Sequence, residues 1–370
     1  MTGEPLRESP ARTAARIDLS AVRHNVRTLI GRAGGARLMA VVKADAYGHG
    51  AVEVARAALS AGADSLAVVT AEEGAELRDA GIGAPVLVFT DLLPEKLALA
   101  ASRGLTVTAH SPQSARRIAA VPGLRAHLKV NTGMNRWGVA PDEVGEARRV
   151  LGDRLTGVYT HLACADSDPE DSGSTRRQLA LFEEVLDAGS FAGLTVHAAN
   201  SAGTLWHPRS RYDLVRPGVA IYGMHPQGDE GDPHEEGLRP VMSLVSYVAD
   251  TRRLEPGDGV SYGLTFRAEE PMYAATVPAG YAEGYRRTLS NAGVAIVRGE
   301  RRPVLGRVTM DAMVLGVDGV VEVGDEVVLV GEQAGERVGA EELGRLAGTI
   351  NYEITTGVNP RRVERIYIGR

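Results

Sequence analysis

The stretch RLMAVVKADAYGHGAVEVARAALSAG, Arg37–Gly62, decides the fold. Its first part is an apolar run that ends on a lysine, a residue rarely fully buried. A Gly-rich turn follows, then apolar residues at helical spacing, with Gly62 placed to cap the helix. Strand, polar turn and helix in that order make one βα unit, with Lys43 at the strand's C-terminal end. On its own, this segment favours a surface lysine at a strand end, and the rest of the chain reverses that.

The unit repeats. SLAVV (65–69) is followed by AEEGAELRDAG, PVLVF (85–89) by LPEKLALAASRG, and LTVTA (105–109) by SPQSARRIAAV. RAHLKV (125–130) precedes PDEVGEARRVLG, and LTGVYTHL (155–162) precedes TRRQLALFEEVLDAG. LTVHAA (194–199) and DLVRPGVAIYG (213–223) bring the strand candidates to eight. Such a series predicts an α/β fold with an N-terminal (β/α)8 barrel. A doubly wound open sheet is the alternative, but no G-x-G-x-x-G follows the first strand to support dinucleotide binding.

The rhythm breaks at HPQGDEGDPHEEGLRP, His225–Pro240, whose Gly, Pro and acidic residues read as a linker. Beyond it SLVSYVADTRRL, MYAATVPAG, VAIVRG, RPVLGRVTM and VEVGDEVVLVG predict a mostly-β domain, interrupted by one short helix at GAEELGRLAG. The expected division is a flexible tail over 1–16, a barrel over 17–240 and a β domain over 241–370.

Composition narrows the classes. The 370 residues are 44% apolar and 24% charged, with a net charge of −6, which argues against a general nucleic-acid binder. No apolar run approaches the roughly 20 residues of a membrane span. The first sixteen residues lack the apolar centre of a signal peptide. Cys164 is the one cysteine, so an internal disulfide and a Cys-based metal site are excluded and a cytoplasmic setting is expected.

Barrel enzymes place their chemistry at the C-terminal ends of the strands. There this sequence puts Lys43; Lys129, Asn131 and Arg136 of KVNTGMNRWG; His161 of YTHLACAD; Asn200 and Ser201 of HAANSAG; and Arg216 and Gly218 of DLVRPGVAIYG. The last two strand ends, NSAG and RPGV, suit a phosphate, because Ser201 opens a helix and Gly218 lets the backbone approach. A lysine and a phosphate site on one rim point to pyridoxal 5′-phosphate.

VVKADAYGHG, KVNTGMNRWGV, THLACAD, HAANSAG, VRPGVAIYG, VSYGLTF, AGYAEGY, GRVTMDAM and TINYEI, taken in order, make the chain resemble the alanine racemases from about Arg16 to its end. The resemblance implies a pyridoxal-phosphate isomerase that interconverts L- and D-alanine and supplies D-alanine for peptidoglycan. Lys43 would hold the cofactor as a Schiff base and serve as one base; Tyr262 would serve as the other. Tyr47, Asn200, Ser201, Gly218, Val219 and Tyr352 would cradle the phosphate, and His161 would lie against the ring. Arg216 would face the ring nitrogen and, being always charged, keep it unprotonated. Arg136 would grip the substrate carboxylate beside Lys129, which is carbamylated in many members. Tyr262, Met310, Asp311 and Tyr281 lie in the β domain, so the family's head-to-tail homodimer would bring them over the partner's barrel.

Three positions depart from the family pattern: Asn131 and Glu283 stand where aspartate is usual, and Thr309 where cysteine is common. Rival functions are a racemase of serine, lysine or a broader set of amino acids, a decarboxylase of like architecture, and a non-catalytic pyridoxal-phosphate carrier. The decarboxylase lacks support, because no GGG phosphate loop or late cysteine is present.

Overall fold

The computed structural model describes residues 12–167, 173–189 and 191–369. Eight parallel strands form the barrel: β2 (Arg37–Val41), β3 (Ser65–Val68), β4 (Val86–Val88), β5 (Thr106–Ala109), β6 (Arg125–Lys129), β7 (Leu155–Tyr159), β8 (Thr195–His197) and β9 (Leu214–Val215); β1 (Ala14–Asp18) precedes them. They pair in chain order from β2 to β8, and β9 returns to lie beside β2. The seam between β8 and β9 is closed by the Asp213 amide on the Val196 carbonyl (3.0 Å) and the Arg216 amide on the Ala199 carbonyl (2.9 Å). Strands β3 and β4 are buried at every position. That fits a parallel sheet walled by helices, and it is why these segments read as continuous rather than alternating apolar runs.

The helices start where the chemistry of their ends dictates. Thr70 and Glu73 form a reciprocal capping box on the helix Ala71–Asp79, and Ser111 and Ser114 do the same for Pro112–Ala119. Gly62, at φ 109°, follows the helix Ala51–Ser60 as expected.

The second unit is built on a sheet in the order Glu300–Pro303, Val294–Val297, Glu326–Gln333, Met242–Tyr247, β1 and Glu364–Ile368. Strand β1 pairs antiparallel with Met242–Tyr247 and in parallel with Glu364–Ile368. The segment expected to be a loose tail is therefore ordered strand from Ala14 onward; residues 1–11 lie outside the described residues. SLVSYVADTRRL, read as one strand, is two, Met242–Tyr247 and Asp250–Leu254, in different sheets. A second short helix, Asn351–Thr356, follows the expected one at Ala340–Ala347.

The 225–240 segment is pinned from both sides. Asn25 of the barrel accepts the Arg239 amide at 2.8 Å, and Glu341 of the β domain accepts the His225 amide at 3.0 Å. No described helix is long and apolar enough to cross a membrane.

Candidate active site

Strand β2 delivers Lys43 to a cavity of about 370 Å³ at the C-terminal rim of the barrel. The chain then makes an uncommon turn: Ala44, Asp45, Ala46 and Tyr47 all have φ of 52–53°. For L-residues each such position costs roughly 1–2 kcal/mol, so the turn needs outside support. The Ala44 amide donates to Glu73 Oε1 (2.7 Å) and the Ala51 amide to Asp45 Oδ1 (2.8 Å). Arg365, from the far end of the chain, binds Asp45 Oδ2 at 2.5 Å and the Gly48 carbonyl at 3.1 Å. The buried His49 ring accommodates the same turn, with Nδ1 at 2.9 and 3.0 Å from the Ala46 and Tyr47 carbonyls.

Burial, and then the charge of Arg136, lower the Lys43 pKa below the ordinary amine value; Glu73 opposes the shift. Its Nζ lies 5.8 Å from the centre of the Tyr47 ring. Tyr47 packs at 4.8 Å against Tyr222 and at 6.0 Å against Tyr352. Tyr352 is the one described residue beyond the 225–240 segment that lines this cavity.

One end of the cavity is built by the last two strand ends. Asn200 caps the helix Ser201–Trp206 through the Gly203 amide (2.9 Å). Ser201 Oγ accepts the amides of Gly218 (3.0 Å) and Ala220 (3.3 Å), which leaves its own proton free to donate. A side chain at Gly218 would place its Cβ 2.5 Å from Tyr47 Oη. Glycine therefore keeps the Tyr47 hydroxyl against this backbone, and Val219 follows it on the cavity wall.

Arg216 is buried, and none of the described carboxylates pairs with it. Its Nη2 donates to the Thr160 (2.8 Å) and Ala198 (2.9 Å) carbonyls and reaches His161 Nδ1 at 3.4 Å; its Nη1 donates to His197 Nδ1 at 2.8 Å. The Tyr159 ring lies beneath, 4.9 Å from the guanidinium carbon. Burial brings the Arg216 pKa down to about 10, still charged at neutral pH. Lys129 lines the same cavity, its pKa lowered to about 8 by burial and then by Arg136 and Arg216. Arg136 and Trp137 complete the wall from the KVNTGMNRWG loop.

Asn131 frames the loop that carries Arg136. Its Oδ1 accepts the Gly133 and Asn135 amides, and its Nδ2 donates to Asn135 Oδ1 at 2.9 Å. Glu283 is likewise structural: buried, it accepts the Gly280 amide (2.9 Å) and the Arg362 guanidinium (2.7 Å).

Four expected site residues are not brought to the cavity within this chain. Tyr262 is 74% exposed, Met310 56% and Tyr281 42%, and Asp311 is likewise absent from the cavity wall. They form two braced projections of the β domain. Tyr262 sits on a loop held open by Ser261 (φ 61°, ψ −174°), Gly263 and Leu264, all at positive φ. Ser261 Oγ ties that loop to the Arg307 carbonyl at 2.6 Å. Positive-φ residues thus flank an exposed tyrosine on both sides. Tyr281 and Met310 are set side by side by the Tyr281 amide on the Thr309 carbonyl (3.1 Å) and the Ala282 amide on the Met310 carbonyl (2.8 Å).

Residues that the sequence reading passed over include Glu73, Tyr159, Asp166 and His197. The Thr70–Glu73 capping box could have drawn attention to Glu73; Tyr159 sits in the quoted YTHLACAD, directly before the strand end.

Burial keeps an unusual set of histidines neutral. His49 and His110 are lowered to about 4, His127 to about 3, and His161 and His197 well below their ordinary value. Their folded pKa values lie below the unfolded value near 6.5, so below that pH the unfolded chain binds protons the native state refuses. Stability should therefore be full above about pH 7 and fall as the pH drops from 6.5 toward 4, at about 1.4 kcal/mol per unit for each such histidine. Calorimetric Tm between pH 8 and 5 checks this; a flat profile would contradict it.

Comparison with known proteins agrees with this geometry. The family model described as "Alanine racemase, N-terminal domain" matches residues 17–226, and "Alanine racemase, C-terminal domain" matches 241–367. The alanine racemase of Symbiobacterium thermophilum is 44% identical, over 96% of this chain and 97% of its own. That of Desulforamulus reducens is 41% identical, over 96% and 98%. Among solved structures, alanine racemase from D-cycloserine-producing Streptomyces lavendulae superposes with a TM-score of 0.91 at 39% identity, over 98% of both chains. The Bacillus anthracis enzyme with bound L-Ala-P gives 0.89 at 34% identity, over 97% of this chain and 96% of that one. Two family models spanning both structural units, and relatives matched over nearly their whole length, show that this chain belongs to the alanine racemase family.

Proposed function

We propose that the protein interconverts L- and D-alanine with pyridoxal 5′-phosphate held at the barrel rim, and that two copies share each active site. One observation carries the reading: a lysine of lowered pKa and a buried arginine without a carboxylate face the same cavity, beside a serine hydroxyl at the start of a helix.

The residues present fit the cofactor. Ser201 has a proton to give, Gly218 lets the Tyr47 hydroxyl lie against its backbone, and Tyr47 and Tyr352 close that end of the cavity. His161 and Arg216 line the position of the ring. Held here, with Lys43 displaced by the substrate amine, pyridoxal 5′-phosphate would withdraw electrons from the Cα of the attached amino acid and make its proton removable.

The chain's own residues supply the rest. Lys43 Nζ, its neutral form favoured by burial, carries a proton at one face of Cα. The opposite face needs a second base, which we assign to the partner's Tyr262. Arg216 donates and cannot accept, so a ring nitrogen facing it would keep no proton, which would disfavour transfer of the amino group to the cofactor. Arg136 grips the substrate carboxylate. Tyr352 and the partner's Tyr281 narrow the entrance and favour a small side chain, with the partner's Met310 at the substrate and the partner's Asp311 in support. Segment 17–240, joined by Tyr352, holds the cofactor and the projections of 241–370 cover the partner's barrel, in a cytoplasmic enzyme that supplies D-alanine for the cell wall.

The test is incubation with L-alanine in D2O. D-alanine and deuterium at Cα should appear together. Deuterium without inversion would remove Tyr262 from its role; neither, with cofactor bound, would favour another amino acid or a carrier.

Lys129 carries a further expectation. A carbamate forms from the neutral amine, and a pKa near 8 leaves about a tenth of Lys129 neutral at pH 7. With 13C-bicarbonate, a carbamate resonance should appear, grow from pH 7 to 9 and vanish in Lys129→Ala.

A further inference from the structure

One feature of the barrel interior lies outside the catalytic roles above. Alternate residues of a barrel strand point inward in layers. Two residues before Lys129 on β6, His127 occupies the next layer down, and His197 of β8 lies beside it. His127 Nδ1 is 2.9 Å from His197 Nε2, and His197 Nδ1 is 2.8 Å from Arg216 Nη1. The three side chains form one line of hydrogen bonds.

The line admits a single arrangement of protons. A guanidinium only donates, so His197 Nδ1 must offer its lone pair to Arg216. His197 then carries its proton on Nε2 and donates it to His127 Nδ1. His127 in turn carries its proton on Nε2. That ring borders a second cavity, of about 190 Å³, at the opposite end of the barrel, with Arg37, Asp64, Thr106, Arg125 and Thr195 in its wall. Both histidines must be neutral, as their deep burial and the nearby Arg216 and Arg37 charges dictate.

The packing is specific to this line. The His197 ring stacks on Tyr159 at 4.7 Å and 9°, and Tyr159 is the ring beneath Arg216. A Cβ at Gly157 would lie 2.7–2.8 Å from three atoms of the His127 ring, so glycine is what admits the imidazole there.

We propose that His197 and His127 are positioning residues which hold the Arg216 guanidinium against the cofactor ring by fixing its acceptor in one tautomer. This rests on the functional reading above. Without an acceptor at position 127, the His197 proton can move to Nδ1. There it would meet a guanidinium hydrogen, donor against donor, and turn Arg216 away. An Arg216 so displaced no longer keeps the ring nitrogen bare. The reaction then leaks into transamination, in which the nitrogen of alanine passes to the cofactor and water completes the release of pyruvate.

Two measurements test the line, one of them independent of chemistry at the cofactor. Imidazole 15N spectra of the holoenzyme should show His197 and His127 neutral and protonated on Nε2 from pH 6 to 8. The second is pyruvate formed per racemisation turnover in wild type, His127→Asn and His127→Phe. Asparagine keeps an acceptor near the Nδ1 position; phenylalanine fills the space without one. The ratio should rise at least tenfold in His127→Phe and stay near wild type in His127→Asn. If His127→Phe does not fold, Gly157→Ala displaces the same ring and should raise the ratio in the same direction. Equal ratios in folded Asn and Phe variants, or a His197 proton on Nδ1 in the wild type, would overturn the proposal. A wild type that does not racemise alanine would instead overturn the functional reading, and the 15N spectra would then decide the line by themselves.

Discussion

Mixing two inactive variants, Lys43→Ala and Tyr262→Phe, is expected to restore about a quarter of wild-type activity, because random pairing makes half the dimers mixed and a two-fold interface gives each mixed dimer one intact site. In a mixed pair, one site combines both lesions and the other combines an unaltered Lys43 with an unaltered Tyr262. The structural ground is the separation of parts: Lys43 faces the cavity, whereas Tyr262 stands 74% exposed on a braced loop away from it. Activity should appear after subunits are exchanged by mild denaturation and refolding, and not in either variant alone. A site completed within one chain would give no recovery at any mixing ratio, and racemisation assays of the exchanged mixture decide between the two.

Tyr262→Phe by itself should lower racemisation by about 10³-fold, the scale of losing a general acid–base group. The fold should survive, since the ring already faces outward and only the hydroxyl is removed. The informative readout is exchange in D2O with each enantiomer separately. With Lys43 serving one face alone, one enantiomer should still exchange its Cα proton while the other does so far more slowly. Equal slowing of both would mean that Tyr262 closes the site rather than moving protons. Cofactor absorbance, unchanged in the variant, separates a chemical loss from a binding loss.

The barrel was legible because its strands are buried on both faces and its helices carry their caps in the sequence. Lys43, His161 and Arg216 stood out as polar residues at the ends of apolar runs, which local pattern detects. What local pattern misses is contact made by distant chain. Strand β1 belongs to the second sheet because Ala14–Asp18 pairs with residues more than 200 positions away. The break in SLVSYVADTRRL falls at Val248–Ala249, where the backbone leaves one sheet for the other: the Val248 amide binds the Asp325 carbonyl (2.9 Å) and the Ala249 amide that of Thr276 (2.8 Å). His127 and His197 each read as ordinary barrel residues, and their partnership exists only once β6, β7 and β8 are side by side. Asn131 was visible as a missing charge, but its use as the frame of the Arg136 loop was not.

The left-handed turn after Lys43 is held by residues distant in sequence. Asp45 belongs to the first βα unit, and the Arg365 that clasps it belongs to the strand Glu364–Ile368 of the other sheet. Tyr367 also closes over Gly50, whose Cβ would lie 2.0 Å from its hydroxyl. The strand Glu364–Ile368 is thereby coupled to the lysine it never touches: a change at Arg365, outside the cavity wall, would loosen the turn that carries Lys43.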